Sequence, residues 1–243
     1  MENNTRINTL NETQLHKTLK KLYALEYSGK TEVKNGPYIA DIECPEKKII
    51  EIQTSTVSSL AKKIEYFLNE GFSVKVVYPL PEVKRIRTLD QNGKTVSERK
   101  SPVKKNIVSV FREITGLTPF LTKKNFSLDV LSCSIIEIRK KTEAPVQSKN
   151  RRRRHLKEWI KTGKELEKLT ARTVFTGRTN YRKLIPFKKG EVFTISELTA
   201  VLEEKGLKCR TDEIRIMLWV LEKISITEKT EQKKGKEKLY RVI

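Results

Sequence analysis

The chain is poor in the residues that hold small folds together by chemistry rather than by packing. It has three cysteines, Cys44, Cys133 and Cys209, far apart and without a CxxC pair, and only two histidines, His16 and His155. Neither a structural zinc site nor a disulfide framework is expected, because each needs several such side chains at defined spacing. No apolar run is long enough to cross a bilayer. The opening residues, MENNTRINTL, lack a charged segment followed by an apolar one, so no secretory leader is expected. Together these absences predict a soluble protein of the reducing cytoplasm, with no membrane among its partners. An acidic balance is lacking too: 51 Lys+Arg stand against 30 Asp+Glu, a formal net charge of +21. That excess favours a phosphate-rich partner, nucleic acid first, since neutralised phosphates release their condensed counterions. A solvated, lysine-rich surface is the plainer alternative.

What is present is a set of acids where packing alone would place none. The 243 residues suffice for one large domain or two modest ones. Residues 11–26 carry Leu15, Leu19, Leu22 and Tyr23 at helical spacing, with Asn11 as a cap. Glu12 lies one turn before Leu15, either as an acid favoured by the helix dipole or aimed at a metal site. A strand at Thr31–Lys34, an Asn35-Gly36 turn, and strands at Tyr38–Glu43 and Lys48–Thr54 follow. With a three-residue loop at Pro45-Glu46-Lys47, Glu43 pairs with Ile49 and Asp41 falls across from Glu51. Such a pair has Cβ atoms about 4.5–5.5 Å apart, and two like charges so placed repel unless a cation lies between them. A two-residue Asn35-Gly36 loop would put Glu32 beside Ile39 and Lys30 beside Asp41. Residues 57–70 then predict a helix burying Val57, Leu60, Ile64 and Leu68, with Lys63 flanking that stripe. Phe72–Leu80 predicts the next strand.

Asp41, then Glu51-Ile52-Gln53 on the following strand, then a helix and a strand, resembles the PD-(D/E)xK nuclease superfamily in its ExQ variant, over roughly residues 10–80. Over much of its length the chain also resembles an uncharacterised bacterial family of that type. That wider resemblance rests on Asn11-Glu12 with Leu15-His16, Glu51-Ile52-Gln53-Thr54, Asn125-Phe126-Ser127, an arginine run and a C-terminal wing-like segment. It implies an α/β fold with a restriction-endonuclease-like core, a mixed sheet flanked by helices. It also implies a metal-dependent endonuclease hydrolysing phosphodiester bonds in DNA. Asp41 and Glu51 would be the Mg²⁺ (or Mn²⁺) ligands and Glu12 an auxiliary acid. Mg²⁺ takes oxygen ligands and keeps several waters, so two carboxylates and a substrate phosphate suit it. Two positions depart from the pattern. Ala40 replaces a proline, and Gln53 replaces the lysine that orients the attacking water. An amide can hydrogen-bond that water but brings no charge. Lys63 is the first candidate for a substitute cation and Lys30 the second. Without one, the alternative is a non-catalytic DNA-binding protein on a degenerate nuclease fold; an RNA-directed nuclease is a third reading.

From Lys84 the sequence turns polar and basic, with Asn92-Gly93 marking a hairpin that is either a DNA-contacting ribbon or an ordinary solvated one. Residues 106–116 predict a helix, and Phe126–Arg139 one long strand or two. The nuclease-like domain is set at 1–141 and a basic linker and helical region at 142–190. Arg151, Arg152, Arg153 and Arg154 there would point round all sides of a helix and meet phosphates. Trp159, Ile160, Leu166 and Leu169 would continue that helix. Residues 191–243 read as a smaller, mainly helical, winged-helix-like domain. Its helices are at Thr194–Glu204 and from Thr211, and Lys233, Lys234 and Lys236 sit in a basic wing. Such a module binds duplex DNA, or serves as a protein-interaction or homodimer module.

Overall fold

The computed structural model describes residues 13–54, 57–148, 151 and 154–243. The first helix, α1 (Gln14–Glu26), is capped by the Thr13 hydroxyl, which accepts the His16 N–H at 3.3 Å. Three short strands follow, β1 (Lys30–Asn35), β2 (Tyr38–Cys44) and β3 (Lys48–Ile52), then a 3-10 turn, α2 (Ala61–Asn69) and β4 (Ser73–Leu89). β5 (Thr95–Lys100) folds back on β4 around Asn92-Gly93. Two 3-10 turns, Ile107–Arg112 and Thr115–Leu117, lead to two long strands, β6 (Phe126–Val146) and β7 (Lys157–Phe175).

The strands form one mixed sheet in the order β1-β2-β3-β4-β6-β7, with β5 paired to the outer half of β4. β3 runs parallel to β4 and β4 parallel to β6, while the other pairs are antiparallel. Both faces are covered, which is what lets the parallel centre read as continuous Val and Ile. On one face Ile64 and Phe67 of α2 pack on Ile49, Val74 and Val76. On the other, Leu15, Leu19 and Tyr23 of α1 pack on Ile42, Ile50, Ile52 and Val77. The period of two in β3 therefore aims Ile50 and Ile52 at α1 and leaves Ile49 and Glu51 facing α2.

The loop at Pro45–Lys47 has the expected length, with Cys44 opposite Lys48 and Glu43 opposite Ile49. The preceding turn does not. Asn35 pairs with Tyr38, so Gly36-Pro37 make the two-residue connection, and Lys30 falls opposite Glu43 rather than beside Asp41. Gly36 is required there: its φ is +56°, and a Cβ would meet the Tyr66 hydroxyl at 2.0 Å. Residues 106–116 form 3-10 turns instead of the expected α-helix. The larger correction concerns residues 142–190. β6 runs on to Val146 and β7 returns beside it to Phe175, so the sheet extends well beyond residue 141 and Trp159, Ile160, Leu166 and Leu169 lie on a strand. Arg151 has φ +53° in the connection between β6 and β7, not in a helix.

The rest of the chain comprises α3 (Gly177–Arg182), β8 (Val192–Phe193), α4 (Ile195–Glu204), α5 (Thr211–Lys223), β9 (Thr227–Lys234) and β10 (Glu237–Val242). β8, β10 and β9 make a small antiparallel sheet. α4 starts with a capping box in which Thr194 and Glu197 satisfy each other's backbone N–H. These elements share one apolar core with the large sheet, in which Phe193, Leu198 and Leu218 join Val110 and Phe111. Polar contacts tie the same seam: the Ser109 hydroxyl donates to Glu213 at 3.0 Å and Arg112 pairs with Asp212 at 2.5 Å.

Candidate metal centre and its surroundings

The β2–β3 ladder stops at Ile42 opposite Ile50. Beyond it the two acids take over from backbone pairing. The Ile52 N–H donates to Asp41 Oδ2 at 2.8 Å, and the Asp41 N–H donates to Glu51 Oε1 at 3.2 Å. The splayed strand ends thus hold both carboxylates side by side. Glu51 is 1% exposed, and Lys63 of α2 reaches its Oε2 at 2.5 Å. Burial and then the Asp41 charge push the Glu51 carboxyl up to about 7, against the pull of Lys63. Burial acts on Asp41 too, but it is outweighed. The His16 hydrogen bond and charge, Lys63 and the Ile52 N–H hold its carboxyl below the ordinary carboxylate value. His16 Nε2 lies 3.3 Å from Asp41 Oδ2 and 2.8 Å from the Ile52 carbonyl, so α1 positions Asp41 from the opposite face of the sheet to Lys63.

Among the described residues no hydrogen bond to Asp41 Oδ1 is formed, so that oxygen has capacity to accept from a further group. Two adjacent carboxylates, one with an open oxygen, fit a hard divalent cation that keeps most of its waters. They do not make a cage: among the described residues no group of three or more His, Cys, Asp and Glu is placed to hold a metal. Gln53 follows on the α2 side and donates from Nε2 to the Ser59 hydroxyl at 3.2 Å. Glu12, the remaining acid of the expected site, lies outside the described residues.

A cavity of about 240 Å³ lies beside this centre, with Leu15, Thr54, Tyr78, Lys105, Glu113 and Lys164 in its wall. Lys164 comes from β7 and donates to the Thr54 carbonyl at 2.9 Å, one residue past Gln53. Burial, then the charges of Lys161, Lys105 and Lys84, lower its ammonium to about 8 despite the pull of Glu137. Sequence reasoning missed Lys164, because only the β6–β7 pairing carries it across 110 residues to the end of β3.

A second polar cluster at the other side of α1 is closed on itself. Asp129 is fully buried and accepts from Lys75 at 2.9 Å, Tyr23 at 3.1 Å and Arg172 at 2.5 Å. Arg172 also reaches Glu26 at 2.6 Å and the Tyr27 hydroxyl at 2.8 Å, so this knot fastens α1 to β7. It satisfies every charge it buries, as a structural network should.

The sequence-derived phosphate contacts are scattered. Arg151 and Arg154 lie in the β6–β7 connection, and Arg152 and Arg153 lie outside the described residues. Of the wing lysines, Lys234 is held by Glu197 at 2.7 Å, Lys233 is exposed opposite Lys238, and Lys236 lines a groove against α5. Arg85 and Arg87 on the β4–β5 hairpin are paired with Glu98, which weakens their claim to phosphate. No helix among the described residues is long and apolar enough to cross a membrane.

Comparison with known proteins places this geometry in a family without giving it an activity. No solved structure matches the chain. An uncharacterized protein of Treponema pallidum (strain Nichols) is 34% identical over 125 residues, which cover 51% of this chain and 49% of that protein. The match spans about half the length of that curated relative. The family model described as Domain of unknown function (DUF8091) matches residues 13–176, from the Thr13 cap of α1 to the end of β7. The chain therefore belongs to the DUF8091 family.

Proposed function

We propose that this protein is a divalent-metal-dependent phosphodiesterase of the PD-(D/E)xK type that cleaves DNA. The carrying observation is the pair Asp41–Glu51, two carboxylates held at one strand end with Glu51 buried against Lys63. A buried acid beside a second acid is costly without a nearby cation, and sites built that way are usually functional. Mg²⁺ or Mn²⁺, when bound by Asp41 and Glu51, would supply an acidified water and offset charge building on the phosphoryl oxygens. The chain's own residues would do the remainder. Lys63, which contacts the second acid from α2, would serve in place of the lysine that the PD-(D/E)xK pattern carries two residues along the strand. Gln53, its Nε2 held by the Ser59 hydroxyl, would orient water through its amide oxygen, and His16 fixes Asp41. Lys164 and Lys105, at the edge of the neighbouring cavity, would hold the next phosphate of the strand.

The C-terminal α4–α5 pair with the β9–β10 hairpin supports a winged-helix-like module that would bind the duplex. One observation favours a second reading, a DNA-binding protein on a degenerate nuclease fold: the Gln53 amide is spent on Ser59. Incubation of the protein with supercoiled plasmid and Mg²⁺ separates the two. Cleavage abolished by Asp41→Ala is expected. Unaltered plasmid, or cleavage that survives Asp41→Ala, would sink the nuclease reading and leave salt-sensitive, metal-independent binding as its replacement.

A further inference from the structure

A second concavity lies far along the chain from the carboxylates, between α5 and the β9–β10 hairpin. Its volume is about 430 Å³, within the usual range of small-ligand sites. Trp219 projects into it from α5 and is 44% exposed, although α5 buries Ile214, Met217, Leu218 and Leu221 on its other side. Arg215 stands one turn before Trp219, and Lys229, Lys236 and Lys238 face them from the hairpin. These four cations meet only Glu222 and Glu237 in the same wall. Lys223 Nζ lies over one face of the indole, 5.7 Å from its centroid, a cation–π contact that leaves the opposite face for a ligand.

An indole left open on a helix otherwise buried along one side is costly surface to expose, and the charge around it selects the occupant. A basic rim repels a basic peptide, gives a neutral one no electrostatic gain, and attracts phosphate. A flat aromatic ring has no use for the edges of paired bases in a groove; it stacks on the face of a base, which only an unpaired nucleotide offers. We propose that the Trp219 groove binds an unpaired nucleotide of a single-stranded nucleic-acid segment, its base stacked on the indole and its phosphates between Arg215 and the hairpin lysines. This rests on the reading of the chain as a nucleic-acid-binding protein but not on its cleaving anything. It changes the expected ligand from plain duplex to a strand with at least one splayed base.

The test uses the full chain with Trp159→Phe, so that Trp219 is the sole indole and reports directly by fluorescence. Titration with a short oligothymidylate should quench that signal, whereas blunt duplex of equal length should not. Read by fluorescence anisotropy of labelled oligonucleotides, Trp219→Ala should weaken single-strand affinity about tenfold or more, the scale of one base–aromatic stack, while changing duplex affinity less than about twofold. Trp219→Phe should retain most of the binding. Circular dichroism and thermal melting of each variant should match the parent, since the ring removed is a half-exposed one. Single-strand affinity unchanged in Trp219→Ala would overturn the proposal while leaving nucleic-acid binding intact. Quenching by an acidic polypeptide as strong as by oligothymidylate would overturn it in favour of a protein partner. No binding of any oligonucleotide would remove the wider reading as well.

Discussion

Replacing Lys63 by Met tests the centre at its most sensitive point. The substitution keeps an aliphatic stem at this position of α2 and removes only the charge. Glu51, 1% exposed, then lies beside Asp41 with its partner cation gone. Removing one member of a buried ion pair costs about 3–5 kcal/mol. Glu51 can partly escape by taking a proton, because its carboxyl is already pushed up to about 7. The low end, about 3 kcal/mol, is therefore the expected loss at about pH 8 in EDTA. For a chain of this size that corresponds to a fall in Tm of about 6–12 °C. Mg²⁺ should reverse part of it, since a ligand at a hundredfold its Kd returns about 2.7 kcal/mol. Wild type should gain less from Mg²⁺ than Lys63→Met, because its Glu51 is already neutralised. Differential scanning fluorimetry with and without Mg²⁺ reads both quantities. Lys63→Met melting with wild type would refute the buried pair. A Tm indifferent to Mg²⁺ in both proteins would refute the carboxylates as a metal site.

Glu137, opposite Lys164 in the β6–β7 ladder, gives a second stability test. Burial would raise its carboxyl, but Arg139, Lys161 and Lys84 outweigh burial and bring it down to about 2. A depressed folded value stabilises above the unfolded carboxylate range and is lost as pH falls from about 4.5 towards 2. That window is worth about 3 kcal/mol at most, so Glu137→Gln should lower denaturant stability at neutral pH and flatten its fall in acid. Lys164 titrates at the basic end instead: its lowered ammonium loses charge as pH rises through about 8. DNA affinity should decline through that pH in wild type and not in Lys164→Gln. Lys164→Gln should also reduce the slope of log affinity against log salt by about one phosphate's worth, measured by fluorescence anisotropy.

The centre was legible because its determinants are local. Pro45-Glu46-Lys47 fixes the β2–β3 register, and alternation within β3 then assigns Glu51 to the side of α2 and Lys63. The α4 cap was legible for the same reason, Thr194 and Glu197 standing three residues apart. The Asn35-Gly36 turn failed by one position because Gly36 supplies the left-handed conformation as the first loop residue, with Pro37 after it. β7 failed more broadly. In KEWIKTGKELEKLTAR the apolar residues Trp159, Ile160, Leu166 and Leu169 fall near helical spacing, and the many charges hide the period of two. What decides the matter is β6, a 21-residue partner whose pairing no local signal announces. Lys164 and Arg172 were invisible with it, one beside the carboxylates and the other closing the Asp129 knot.

The same strand has a consequence for how copies of the protein meet. β7 is an outer strand of the sheet, 19 residues long, and its free side presents a row of backbone donors and acceptors. An edge of that length invites a second chain to add its own strand and continue the sheet without end. Here the edge strand carries Lys157, Lys161 and Lys168 among Glu158, Glu165 and Glu167, and its ladder with β6 slips register at four places. Each slip bends the strand away from the flatness that fibril-like stacking needs, and an edge lysine covered by an added strand would lose its hydration without gaining a partner. The charges that disguised β7 as a helix in the sequence are thus also its protection against polymerising.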